Sequence, residues 1–117
     1  MEMIGFVGLG TIGGAIASNI QKAGYSMMVH DIRPEATDPL VKGGAEFAGS
    51  PAEVARHCRI VFTSLPGPRE VEEVALGADG LLEGVHDGSL YVDLSSSSPD
   101  LIRCIEAEFR RKADVLS

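Results

Sequence analysis

The stretch Gly8-Leu9-Gly10-Thr11-Ile12-Gly13 constrains this chain more than any other, because it joins a run of strand formers to a helical pattern. Alone, a G-x-G-x-x-G match says little in a chain with 14 glycines among 117 residues. Its setting gives it meaning. Met3 to Gly8 reads as a strand, and from about Ile12 to Ala23 the isoleucines 12, 16 and 20 recur on one helical face. At such a junction the first glycine permits a tight turn, the second lets a pyrophosphate approach the backbone, and the third allows helix to pack closely on strand. The helix amino terminus then presents free N–H groups to the phosphates. No Gly-Lys-Ser or Gly-Lys-Thr follows, which excludes a mononucleotide P-loop; FAD binders share the glycines and stand as a rival, as does a glycine turn that binds nothing.

The rest of the chain alternates β-rich runs with helical patterns, the signature of βαβ units around a parallel sheet. Gly24 stops the first helix, and Ser26 to Asp31 forms a second strand. Pro34 opens a short helix that Gly43-Gly44 ends, and Ala45 to Ala48 makes a brief third strand. Ser50-Pro51-Ala52-Glu53 reads as a reciprocal capping box at the head of a helix reaching about His57. Ile60 to Ser64 suits a central strand, and Pro66 and Pro68 stop it near Leu65. Helical residues from Glu70 to Leu76 lead through a glycine-rich turn, Gly77 to Gly84, into a fifth strand at Leu90 to Asp93. Pro99 starts a last helix on which Leu101, Ile105 and Phe109 recur every fourth residue. Arg110, Arg111 and Lys112 then suit its negative end, and the residues up to Ser117 read as the opening of a sixth strand. The expected fold is α/β: one Rossmann-type domain over residues 1–117, a doubly wound, mostly parallel sheet in three αβα layers.

Asp31 stands at the end of the second strand, 18 residues beyond Gly13, where a carboxylate hydrogen-bonds adenosine ribose hydroxyls. That favours NAD. Arg33 could instead pair with a 2′-phosphate, which leaves NADP possible; a turn aspartate and a solvated arginine are the alternatives. Leu65-Pro66 and the segment from Asp93 to Ser98 lie at the carboxyl edge of the sheet, where open α/β sheets bind ligands. Serine hydroxyls there suit a nicotinamide ribose or a substrate carboxylate, while Ser98 reads as a cap for the helix at Pro99. His30, His57 and His86 share no metal spacing, and Cys58 and Cys104 fit neither a disulfide framework nor a zinc site. A net charge of -7 with scattered Lys and Arg argues against nucleic acid. The amino terminus, with Glu2 and an apolar run broken by glycines, fits neither a signal peptide nor a membrane span, so a cytoplasmic location is expected.

Several of these stretches together resemble the β-hydroxyacid dehydrogenases, the group containing 3-hydroxyisobutyrate dehydrogenase and tartronate semialdehyde reductase. The resemblance runs through Ile4 to Gly10, Asn19 to Gly24, Ser50 to Ala55, Leu65-Pro66, Gly80 to Gly84 and Val92 to Ser96. It implies NAD(P)-dependent hydride transfer to or from a small 3-hydroxy or 2-hydroxy acid. It also implies cofactor contacts at Gly8, Leu9, Gly10, Thr11, Ile12, Gly13, Asp31, Leu65, Pro66, Glu70 and Ser96, to which the residues themselves add Arg33 on the cofactor and Ser95 and Ser96 near the substrate. Thr11-Ile12 stands where the family commonly has Asn-Met, Ser64 where it has Met, Ser96 where it has Thr, and Glu70 where it often has a small polar residue. The family's D-A-P-V-S-G-G substrate segment and the catalytic Lys of its all-α second domain have no counterpart here. No catalytic residue and no metal ligand is therefore expected in this chain, and oligomerisation is expected to rest with that second domain. The rival reading is a stand-alone, non-catalytic NAD(P)-binding module.

Overall fold

A computed structural model describes residues 2–86, 88–95 and 99–116, with side chains as far as Lys112. Five strands form one sheet: β1 (Ile4–Val7), β2 (Met27–His30), β3 (Glu46–Phe47), β4 (Ile60–Thr63) and β5 (Leu90–Asp93), in the order β3-β2-β1-β4-β5. Every pairing is parallel, with Val7 beside His30 on one side and Thr63 on the other. Parallel neighbours cannot be joined by hairpins, so each connection crosses over through helix. The winding reverses between β1 and β4, and this switch point is where an open sheet leaves a crevice at its carboxyl edge.

Side chains along the strands alternate between two cores. Ile4, Phe6, Met27 and Val29 face α1 (Thr11–Lys22) and α2 (Asp38–Lys42), packing with Ala17 and Leu40. Val7, Met28 and Val61 face α3 (Pro51–His57) and α5 (Leu81–Gly84), meeting Val54, Ala55 and Leu81. A third cluster joins Val71 and Ala75 of α4 (Pro68–Leu76) to Ile105 of α6 (Pro99–Leu116). Each such large apolar side chain removed from water contributes about 2 kcal/mol before entropy is counted. Helices on both faces complete the three-layer Rossmann-type α/β fold expected from the sequence.

Local signals mostly act as expected. Gly24, with φ of 99°, ends α1 by donating its N–H to Gln21 O. Of the reciprocal capping box at α3, the Ser50 half forms: its Oγ accepts from Glu53 N–H at 3.2 Å.

Four expectations are corrected. The residues after Lys112 continue α6 to Leu116 instead of opening a sixth strand; Ala113 to Leu116 holds no glycine, proline or other stop, and extending a formed helix is cheaper than starting a strand. The basic residues 110–112 therefore precede the last turn and do not cap the dipole; Arg110 and Arg111 pair with Glu106 and Glu108, and Lys112 Nζ donates to Leu82 O. The glycine-rich turn contains α5, a single helical turn whose Leu81 is buried against α3. Ile12 does not share the buried stripe of Ile16 and Ile20: in the first turn of α1, beyond the sheet edge, it is 71% exposed.

Candidate cofactor site

A cleft of about 540 Å³ opens at the switch point, a size that suits small organic ligands. The glycine loop and the first turn of α1 form its floor. The end of β2, from His30 to Arg33, makes one wall, and Ser64, Leu65 and Pro66 after β4 make another. Glu70, Glu73 and Val74 of α4, with Pro51 at the head of α3 and Ala78, complete it.

The three motif glycines differ in what surrounds them. Gly8 has φ of 96°, and a Cβ there would lie 2.2 Å from Ser64 O, so β1 and β4 loops meet backbone to backbone. A Cβ on Gly13 would lie 2.2 Å from Gly8 O, which seats α1 on the strand end. A Cβ on Gly10 would meet nothing within 4 Å: its open side is the cleft itself. Gly10 is the N-cap of α1 and no side chain caps the helix, so its first N–H groups remain available to a ligand. This is the space and the donor set that a pyrophosphate requires, and the glycine loop fits the cofactor group on both counts.

Asp31 is 9% exposed, and both its oxygens are engaged. Oδ2 accepts from Leu9 N–H at 2.7 Å and Oδ1 from Arg33 N–H at 2.8 Å. Each carboxylate oxygen accepts two hydrogen bonds, so capacity remains for ribose hydroxyls on the cleft side. The alternative of a turn aspartate is thus realised together with its place in the cleft. Beside it, His30 Nδ1 lies 2.9 Å from Ala48 O. A carbonyl only accepts, so Nδ1 carries the proton.

A second network lies behind the β4 wall. Thr63, fully buried, donates to Asp93 Oδ1 at 2.8 Å and so accepts from Tyr91 Oη at 2.9 Å. Ser95 N–H donates to Asp93 Oδ1 at 3.0 Å, while Ser95 Oγ accepts from Leu65 N–H at 2.6 Å. Burial pushes the Tyr91 phenol up to about 12, and the Asp93 charge reinforces the rise. Burial, reinforced by the charge of Glu46, likewise lifts the Cys58 thiol to about 11, which leaves it protonated and inert.

Of the residues singled out in the sequence, Gly8, Gly10, Thr11, Ile12, Gly13, Asp31, Arg33, Leu65, Pro66 and Glu70 line the cleft. Leu9 stands apart, its side chain in the core and its amide on Asp31. Ser95 sits behind the wall, and Ser96 lies outside the described residues. Sequence reasoning missed Val7, His30, Ile32, Pro51, Ser64, Glu73, Val74 and Ala78. The spacing of Glu73 and Val74, three and four residues beyond Glu70, was the one signal that could have found them, since such residues share a helical face. Among the described residues no group of His, Cys, Asp and Glu could hold a metal ion.

Comparison with known proteins bears on the family and the fold. The family model described as the NAD binding domain of 6-phosphogluconate dehydrogenase matches residues 3–115. The chain is 41% identical over 109 residues to an Arabidopsis thaliana protein named probable 3-hydroxyisobutyrate dehydrogenase-like 3, mitochondrial, covering 93% of this chain and 34% of that protein. It is 36% identical over 101 residues to the Homo sapiens cytokine-like nuclear factor N-PAC, covering 86% of this chain and 18% of the other. Among solved structures, one titled Psf3 in complex with NADP+ and 2-OPP superposes with a TM-score of 0.86 at 30% identity, over 93% of this chain and 39% of that one. The chain thus spans about a third or less of the curated relatives named here. With the family model spanning nearly its whole length, the chain belongs to the family of the NAD binding domain of 6-phosphogluconate dehydrogenase.

Proposed function

We propose that this chain is the cofactor-holding domain of a dehydrogenase that moves a hydride between a nicotinamide and the hydroxyl-bearing carbon of a small 3-hydroxy or 2-hydroxy acid, in the manner of 3-hydroxyisobutyrate dehydrogenase. One observation carries the reading. Gly8 and Gly13 are locked by backbone contacts, whereas Gly10 between them faces open cleft, as a loop built to receive a pyrophosphate requires. The bound nicotinamide supplies the hydride chemistry. The chain's residues supply the hold: amides of Gly10, Thr11 and Ile12 on phosphate, Asp31 on the adenosine ribose, and Leu65, Pro66, Glu70 and Ser96 along the nicotinamide half. Ser95 and Ser96 are proposed near the substrate.

Proton transfer is proposed to fall to a group outside residues 1–117, because Lys22, Lys42 and Lys112 lie away from the cleft. The placement of Asp31 supports NAD over NADP, since a 2′-phosphate beside it would meet a like charge. Arg33, on the same wall, gives NADP its best alternative partner. Calorimetric titration with NADH and NADPH tests both points. Tighter NADH supports Asp31 as the selector, tighter NADPH gives that role to Arg33, and no binding of either overturns the cofactor reading. A second reading, a cofactor-binding module without turnover, draws on the same position of the lysines. An in-frame D-A-P-V-S-G-G segment downstream in the coding sequence would sink it. We also propose a cytoplasmic location and subunit contacts made outside this domain; recovery of the protein in an organelle fraction, or a stable dimer of the 117-residue chain on sedimentation, would contradict them.

A further inference from the structure

The β4 ladder ends one step short of the cleft. Ser64 N–H still bonds Val7 O at 3.0 Å, but the next amide, that of Leu65, has no strand to pair with. It is satisfied by a side chain 30 residues away, donating to Ser95 Oγ at 2.6 Å. Ser95 is itself held, its N–H on Asp93 Oδ1 at 3.0 Å, and that same oxygen takes the hydroxyl of buried Thr63 at 2.8 Å. The geometry points to Ser95 as a positioning residue: through the Leu65 peptide it sets the β4 wall of the cofactor cleft.

The Leu65 peptide has unusual leverage. Its side chain reaches the glycine loop, where a Cβ on Gly8 would lie 2.8 Å from Leu65 Cδ2. It is followed by Pro66 and, after Gly67, by Pro68 at the start of α4, so the path of the chain into the helix that carries Glu70, Glu73 and Val74 leaves from this point. A stiff X-Pro connection passes a displacement of the peptide onward instead of absorbing it. Ser95 therefore reaches three parts of the cleft through a single hydrogen bond, and its hydroxyl proton stays available to donate elsewhere.

This inference rests on the cofactor reading above, and the test separates the two. Ser95→Ala and Ser95→Thr are made in the 117-residue chain. Amide hydrogen exchange at Leu65 is measured without nucleotide, and NADH affinity is measured by fluorescence. Ser95→Ala should speed Leu65 exchange about tenfold and weaken NADH about fivefold, the size expected for one lost hydrogen bond. Ser95→Thr, which keeps the hydroxyl, should restore both. Unchanged Leu65 exchange in Ser95→Ala, or faster exchange with unchanged NADH affinity, overturns the role of Ser95 while leaving the cofactor reading intact. A wild-type chain that binds no NADH overturns the cofactor reading, and the proposed role of Ser95 falls with it.

Discussion

Strand β5 finishes at an aspartate and β2 is followed at once by another, and the two carboxylates serve neighbouring loops at different reach. Each closes a turn on itself by accepting the N–H two residues on, from Arg33 in one case and Ser95 in the other. Asp31 then holds the glycine loop directly, through Leu9 N–H. Asp93 holds the β4 loop at one remove, through Ser95 to Leu65, while Thr63 ties it to the strand beneath. The near carboxylate lines the cleft, where the proposed function adds recognition to support; the far one stands behind the wall. Position at a strand's carboxyl end is therefore insufficient to mark a ligand contact, and what the oxygens already hold must be counted.

The largest test of this pairing strikes where the two supported loops touch. Gly8→Ala would place a Cβ 2.2 Å from Ser64 O at a positive φ, so both loops must move. It should cost about 3 kcal/mol in denaturant unfolding. A loss under about 0.5 kcal/mol would mean that the loops are not braced against each other. Next comes Asp31→Ala, which strips the partners from two backbone amides and should cost about 2 kcal/mol. NADH affinity should fall at least about tenfold in the same variant, the pairing of effects expected for a carboxylate that both supports and recognises. Unfolding loss with unchanged NADH affinity would remove Asp31 from the recognition side and make the two aspartates alike.

The Asp93 side can be probed by alkali. The phenol of Tyr91 ionises at about 12 in the folded chain against 10.0 when free, so the folded state holds that proton more tightly. Its stabilisation is fully present below pH 10.0 and is lost as pH rises to about 12, by at most about 3 kcal/mol. Tyr91→Phe should flatten that part of the stability curve. Cys58, whose thiol rises from 9.0 to about 11, contributes with the same sign and should keep part of the slope in that variant. An unchanged alkaline slope in Tyr91→Phe would show that the network is open to water. The smallest effect is expected away from both carboxylates. Ser50→Ala removes the cap of α3 and should cost about 1 kcal/mol with no change in NADH affinity, and an affinity change there would show that the cleft answers to general loosening.

What the sequence made legible follows from range. The glycine loop is a local code of six residues, Asp31 is reached by counting through one βαβ unit, and Leu65-Pro66 is marked by the prolines that stop β4, so the floor and these two walls could be placed from the sequence. The far wall could not, because Pro51, Val74 and Ala78 come together only when α3 and α4 pack on the same face of the sheet. Ser95 was visible as a polar residue at the right edge, yet its bond to Leu65 spans 30 residues and the whole crossover through α4 and α5. Ile12 and the residues after Lys112 failed for local reasons: in the first case a periodicity was extended past the place where tertiary contacts decided the outcome, and in the second a strand was begun where no stop signal had ended the helix.

The two amides that Asp31 holds bear on how this scaffold could be re-engineered. Exchange of that aspartate for a neutral residue is the obvious way to admit a 2′-phosphate, but here it would also release the Leu9 peptide and slacken the loop that must grip both dinucleotides. A designer would pay for altered selectivity with weaker overall retention of cofactor. Ile32 and Arg33, exposed and free of that duty in their side chains, offer the route by which preference and grip can be varied separately.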